Sequence, residues 1–277
     1  GKTSEIAQRE GMLIAMNGSY FNMKQLTPCT YFRIADQVLG ETSASEGFRV
    51  NGVVAIKNRR GRNIVITGCE PGQYEEVAGK WHSVLASGPI LMEDTKTVVP
   101  ETMKADENGN GTDSFYDKRH PRSAMGYDRK GNIYLIVIDG RHPAEAEGTS
   151  IYETALICSF LNLEDAINLD GGGSSTLWHS EEGVLNHPSD NRKFDAQGER
   201  KVPNIIGVFR SSILYKKLSD MIPILYRSHV LALGENADEV RFIVESAVIA
   251  YFGCTQRGTG QKIAGFGYTQ IIDICYE

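Results

Sequence analysis

The sequence predicts an α+β fold, a mostly antiparallel mixed sheet core with a few packed helices. Strand-length apolar runs such as MLIAM, VVAI and IYLIVI recur along the chain. Turn signals rich in Gly, Pro, Asn and Asp separate them. Helical spacing with a cap is confined to a few segments, GTSIYETALICSFLNLE being the clearest.

Taken in order, Thr3 or Ser4 caps a short helix through EIAQRE, with Gly11 as its stop. MLIAM is a buried strand running into NGSYFN. RVNGVVAIKN and RNIVITGC are strands joined at RRG, and SVLASGPILM is a strand interrupted at Ser87-Gly88-Pro89. Residues 101–117, polar and glycine-bearing, read as an exposed loop. DRKG turns a hairpin into NIYLIVI, whose apolar run needs cover on both faces. In the clear helix Ser150 and Glu153 have capping-box spacing, and Ile151, Ala155 and Cys158 share one face. AINLD, STLW and VPNIIGVF follow as strands. Beyond Arg210, ENADEVRFIVESAVIAYFG has apolar residues at helical spacing, while its β-branched content suits a strand through VRFIV nearly as well. Residues 1–210 therefore read as one domain, with 211–277 a C-terminal segment packed on it.

Composition narrows the function classes. A chain of 277 residues with 41% hydrophobic and 23% charged residues buries a sizeable core, which excludes disordered and fibrous classes. The net charge of −6 argues against non-specific nucleic-acid binding. No apolar run reaches the about 20 residues of a transmembrane helix. No signal peptide is visible, and GKTSEIAQ reads as a trimmed or engineered start. The 5 cysteines lack C-x-x-C spacing, which disfavours zinc and a dense disulfide framework and leaves room for one or two bridges.

Polar residues recur where apolar strands begin or end: Asn17, Arg122, Asp139 with Arg141, and Asp170. Strands that end together would bring these residues together. The run AINLDGGGSSTLW raises the central question, because three glycines in a row cost conformational entropy and need a reason. They serve a tight turn, or they bare backbone N–H groups for an anion, or both. Asp170 and Asp139 each read equally as Asx-turn residues or as catalytic carboxylates. Glu153 is a cap that also serves chemistry if it faces the site. Arg122 and Arg141 supply forked donors for phosphate, and Ser174 is a hydrogen-bond donor. GGGSS is neither a nucleophile elbow nor a P-loop. His120 and His142 flank the two arginines and are weak candidates. Asp139, Asp170 and Asn168 are the set that would hold Ca2+ or Mg2+, although no cofactor is required.

AMNGSYFN, ASGPILM, HPRSAMGYDRKGNIYLIVIDGR, the stretch from GTSIYETALICSF to NLDGGGSSTLW, and VPNIIGVF occur in an order that resembles the phosphodiester glycosidase family. That family comprises mannose 6-phosphate uncovering enzyme-like domains and bacterial relatives once grouped as a domain of unknown function. The resemblance covers roughly Lys2 to Arg210. It implies that Asn17, Arg122, Asp139, Arg141, Glu153, Asn168, Asp170, Gly171, Gly172 and Ser174 line a pocket. It also implies a secreted, periplasmic or cell-surface location in bacteria. The family has further strands ahead of its first helix, and NGSYF lacks the second glycine common in relatives.

The first functional reading is a hydrolase cleaving the sugar C1–O bond of a glycosyl phosphodiester of the N-acetylglucosamine 1-phosphodiester type. In it the arginines and the glycine-rich loop bind phosphate, and Asp170 or Asp139 is base or nucleophile. Its partner is a small or polymer-linked sugar phosphodiester. Two rivals stand beside it: a non-catalytic envelope-polysaccharide or phosphosugar binding protein, and a metal-dependent phosphodiesterase.

Overall fold

The computed structural model describes residues 1–34, 37–56, 64–78, 81, 83–99 and 112–209, with the backbones of strands Val230–Leu233, Glu239–Glu245, Ala247–Gly253 and Gln270–Cys275. The RRG turn and residues 101–111 of the expected loop lie outside the described residues.

Apolar alternation sorts the strands into sheets around a shared core. The largest sheet runs in the order Lys96–Thr97, Ile90–Glu93, Leu163–Asn168, Arg122–Asp128, Ile133–Ile138, Ala247–Gly253, Glu239–Glu245, Gln270–Cys275. A second sheet runs Gly183–Val184, Leu177–His179, Ile14–Asn17, Ile205–Val208, Val230–Leu233. A third runs Gln37–Gly40, Phe32–Ile34, Ser83–Ser87, Gly52–Ile56, Ile64–Gly68. Ile205–Val208 and Val230–Leu233 are parallel; the other pairings among described residues are antiparallel. The fold is α+β.

Met125, Leu135, Val137 and Ile167 face a core shared with Ile14, Met16, Val54 and Leu85 of the other two sheets. Ala124, Ile136 and Ala166, one residue out of step, face the helix Ile151–Phe160 and its Ile151, Ala155 and Cys158. Both faces of IYLIVI are thus covered. Cys158 is a fully buried free thiol, and Cys29 and Cys69 are free as well.

Local chemistry explains the element ends. Ser150 Oγ accepts from the Glu153 N–H at 3.1 Å and Glu153 Oε2 accepts from the Ser150 N–H at 2.9 Å, closing the expected capping box. Asp128 Oδ1 accepts from the N–H groups of Lys130 and Asn132, each at 2.9 Å, which builds the DRKG turn. Gly11 ends the first helix at φ 67°, in the left-handed region that glycine tolerates.

Three expectations change. The first helix, Thr3–Glu10, includes Thr3 and Ser4 within it, because the Ser4 N–H and hydroxyl are drawn to the Glu199 carboxylate rather than used as a cap. Residues Thr112–Asp117 form a helical turn, not an exposed loop, and Tyr116 is buried in the core beside Phe115. The segment after residue 238 forms the antiparallel pair Glu239–Glu245 and Ala247–Gly253, so β-branched preference prevails over helical spacing.

Candidate active site

Register brings the strand ends together. Arg122 opposes Ile138, and Ala124 opposes Asn168, so the start of one strand lies between the exits of its two neighbours. Asn17 reaches in from the second sheet. Its Nδ2 donates to the Asp170 carbonyl at 2.6 Å, and its Oδ1 accepts from Ser123 Oγ at 2.7 Å and the Thr176 N–H at 3.1 Å. The Asp170 N–H donates to the Gly18 carbonyl at 3.1 Å. The loops NGSYF and NLDGGG are therefore stitched to each other through the buried Asn17 side chain and the Asp170 backbone.

The glycine run answers a packing demand. A Cβ on Gly171 would lie 2.7 Å from the Pro121 carbonyl, and Gly172 sits at φ 63°. A Cβ on Gly172 or Gly173 would strike the guanidinium of Arg141 or Arg200 at 2.7 and 2.4 Å. The bare backbone thus lets two arginines lie against the loop. Its N–H groups are used inside the protein: Gly171 donates to Asp170 Oδ1 at 3.0 Å and Gly172 to Pro121 O at 2.8 Å, while Ser174 and Ser175 donate to the carbonyls of Gly171 and Gly172. The expected nest of free donors on Gly171 and Gly172 is replaced by clearance for guanidiniums.

Asp170 is the electrostatic centre of the cluster. Burial pushes its carboxyl up to about 6, against the opposing pull of Ser174, Arg49, Arg200 and the Gly171 N–H. The Ser174 hydroxyl is buried beside this carboxyl, close enough to pull it down but outside full hydrogen-bond geometry. The hydroxyls of Ser175 and Thr176 are likewise buried, without a bonded partner among the described residues.

The other expected residues divide by their bonds. Arg141 stands at the mouth of strand Ile133–Ile138 with φ 66°, and its guanidinium has no hydrogen bond or ion pair among the described residues. Burial lowers its pKa, as does neighbouring Arg200, while Asp190 and Asp170 oppose them. Arg122, in contrast, is buried. Its Nε donates to the Thr149 carbonyl at 2.9 Å, and Nη2 donates to Phe115 O at 2.7 Å and Lys118 O at 2.9 Å. Burial pulls it down to about 10. Arg122 is thus a fastener of the loop ahead of its strand.

Asp139 is buried and bonded through both oxygens. Oδ1 accepts from the His187 N–H at 2.9 Å and Asn186 Nδ2 at 3.0 Å, and Oδ2 meets His187 Nδ1 at 2.8 Å. Glu153 is held in its capping box and in an ion pair with Arg119. Burial works to raise its carboxyl, but the bonds from Arg119 and Ser150 hold it lowered. Asn168 Nδ2 donates to the carbonyls of Gly88 and Leu169 at 3.0 and 2.8 Å and approaches the Tyr20 hydroxyl at 2.9 Å; its Oδ1 has no partner among the described residues. Among the described residues no group of three or more His, Cys, Asp or Glu is placed to hold a metal ion. The expected weak candidates His120 and His142 pair through their backbones with Thr149 and Ala146.

Three residues were invisible to sequence reasoning. The Arg49 guanidinium lies 3.8 Å over the Tyr20 ring, is paired to Glu46 and acts on Asp170. Arg200 bonds Asp190 against Gly173. His187 is bonded by Asp139. Each sits in a loop whose sequence has no period or motif; only tertiary packing delivers it.

At the joined ends of antiparallel strands the structure gathers a carboxyl raised to about 6 and the guanidiniums of Arg49, Arg141 and Arg200, a charge pattern of the kind found at functional sites. The chain belongs to the phosphodiester glycosidase family, whose pattern its residues 10–209 match. It is 28% identical over 200 residues to the N-acetylglucosamine-1-phosphodiester alpha-N-acetylglucosaminidase of Bos taurus, covering 67% of this chain and 34% of that protein. For the Homo sapiens enzyme of the same name the identity is 26% over 196 residues, covering 67% and 35%. The chain thus spans about a third of the length of these relatives. Its fold is similar to the zebrafish catalytic domain of that name, solved auto-inhibited by its pro-peptide, at a TM-score of 0.55 and 21% identity, covering 68% of this chain and 60% of that one.

Proposed function

We propose that the chain hydrolyses a glycosyl phosphodiester of the N-acetylglucosamine 1-phosphodiester type at its C1–O bond. The observation that carries this reading is Asp170, pushed up to about 6, with the Arg141 guanidinium lying against Gly172 of the same loop and without a bonded partner among the described residues. The names of the relatives supply the substrate class.

The chemistry follows from that pairing. As the C1–O bond breaks, its electron pair passes to the phosphate oxygen, leaving a phosphate monoester that needs little protonation to depart. Arg141 neutralises the growing charge on that group, and Arg49 adds field from the Tyr20 side. Asp170 either takes a proton from the water that bonds to C1, or itself bonds to C1 and is later released by water. A carboxyl titrating near 6 is mostly ionised at neutral pH and retains basicity for the first role. Asn17, Asn168 and the Gly171–Ser174 turn act by fixing the Asp170 backbone.

The test is sugar release from an N-acetylglucosamine phosphodiester, with the anomer formed first read by NMR. Inverted product assigns Asp170 as base and retained product assigns it as nucleophile. Release in 18O water must place the label on the sugar; label on the phosphate would overturn C–O cleavage.

A further inference from the structure

His187 lies outside the catalytic reading above, yet the fold immobilises it from two directions. Asp139 binds both its backbone N–H, at 2.9 Å, and its ring Nδ1, at 2.8 Å. Phe194 stacks on the imidazole with ring centroids 3.8 Å apart and planes 13° from parallel. Phe194 in turn meets the edge of His142, centroids 5.4 Å apart. Asp139 and His142 are the two ends of the turn that carries Arg141, so the stacked His187–Phe194 pair touches both ends of that turn, His187 at Asp139 and Phe194 at His142. Asn186, the preceding residue, donates from Nδ2 to Ser175 O as well as to Asp139, which fastens this segment to the glycine-rich loop.

A surface histidine placed by chance is not built this way. With Nδ1 on the carboxylate, the ring is orientated so that Nε2 points away from Asp139, and Nε2 has no partner among the described residues. The ring keeps about a third of its surface exposed.

We infer that His187 is a phosphate-side contact of the pocket, its Nε2 bonding an oxygen of the phosphate group that Arg141 neutralises. The inference rests on the glycosyl phosphodiester reading for the source of that phosphate. One proton serves the bond. On imidazolium it is donated from Nε2 to a phosphate oxygen, and on a phosphate monoester monoanion it is donated from the oxygen to neutral Nε2. Asp139 is then a positioning residue that fixes the ring, and Phe194 limits its rotation.

The test is calorimetric titration of the folded chain with methyl phosphate, the simplest analogue of the departing monoester, run beside sugar release. Loss of one charge-assisted hydrogen bond is expected to weaken binding about tenfold in His187→Ala. His187→Gln, which keeps an N–H donor, recovers part of it. Asp139→Asn falls between wild type and His187→Ala. Thermal melts confirm that each variant is folded. Binding by folded His187→Ala within twofold of wild type overturns the inference, whatever the catalytic outcome. Wild type that does not take up methyl phosphate also overturns it. In either case, continued sugar release by wild type shows that the glycosidase reading survives without this contact. Absent sugar release with tenfold weaker binding in His187→Ala supports the contact and removes the reading.

Discussion

The mouths of two neighbouring strands make an instructive pair. Ile133–Ile138 ends in Asp139-Gly140-Arg141, and Leu163–Asn168 ends in Leu169-Asp170-Gly171. In sequence the two aspartates are equivalent, each closing an apolar strand and each followed by glycine. In the structure Asp139 has bonded partners on both oxygens and is buried behind His187. Asp170 accepts one backbone N–H, at 3.0 Å, and burial drives its carboxyl up to about 6. The arginines repeat the contrast: Arg122 is spent on three carbonyls, while the Arg141 guanidinium has no bonded partner among the described residues and Arg141 has a left-handed backbone. A polar group with its bonds complete holds the fold, and one left short of them is available for chemistry.

Substitution of both aspartates sharpens the contrast most. Asp170→Asn should lower sugar release by about a thousandfold or more while the protein stays folded, since it removes the base or nucleophile. Asp139→Asn should cost far less, through a loosened His187. Near-equal losses would break the distinction. Next in size, Arg141→Ala should lower kcat/KM by about a hundredfold with an unchanged melting temperature, because the guanidinium has no partner to abandon. Arg122→Met should do the reverse. It leaves three carbonyls without their donor, costs about 3 kcal/mol, and lowers the melting temperature by about 5–10 °C with kcat per folded molecule little changed.

The smallest effect is on stability against pH. Because the folded Asp170 carboxyl titrates above its unfolded value, the native state keeps a proton between about pH 4 and 6 that the unfolded chain has lost. Stability therefore falls as pH rises through that window. Melting curves of Asp170→Asn should lack this decline, so that the variant matches wild type near pH 4 and exceeds it near pH 7.

Much of this architecture is legible in the sequence. Alternation and turn chemistry placed the DRKG hairpin, the Ser150 capping box and the Asn17, Arg122, Asp139 and Asp170 strand ends, because these features are local and obey short periods. What escaped depends on distant chain segments. Arg49 reaches Asp170 from a loop more than a hundred residues away, and His187 is recognisable only once Asp139 is seen beneath it. Ranking the two aspartates was equally out of reach, since the difference lies in which neighbours fill their lone pairs. For the glycines the sequence offers a tight turn, bared N–H donors or both; it does not show that Arg141 and Arg200 occupy the space a Cβ would need.

The central claim is that Asp170, not Asp139, carries the chemistry. The pH dependence of kcat/KM for an N-acetylglucosamine phosphodiester, in wild type, Asp139→Asn and Asp170→Asn, tests it most directly. The account predicts an ascending limb centred near pH 6 in wild type, where Asp170 loses its proton. That limb persists at reduced height in Asp139→Asn and vanishes with the activity in Asp170→Asn. Turnover that survives in Asp170→Asn with the limb intact, and is lost in Asp139→Asn, would contradict it.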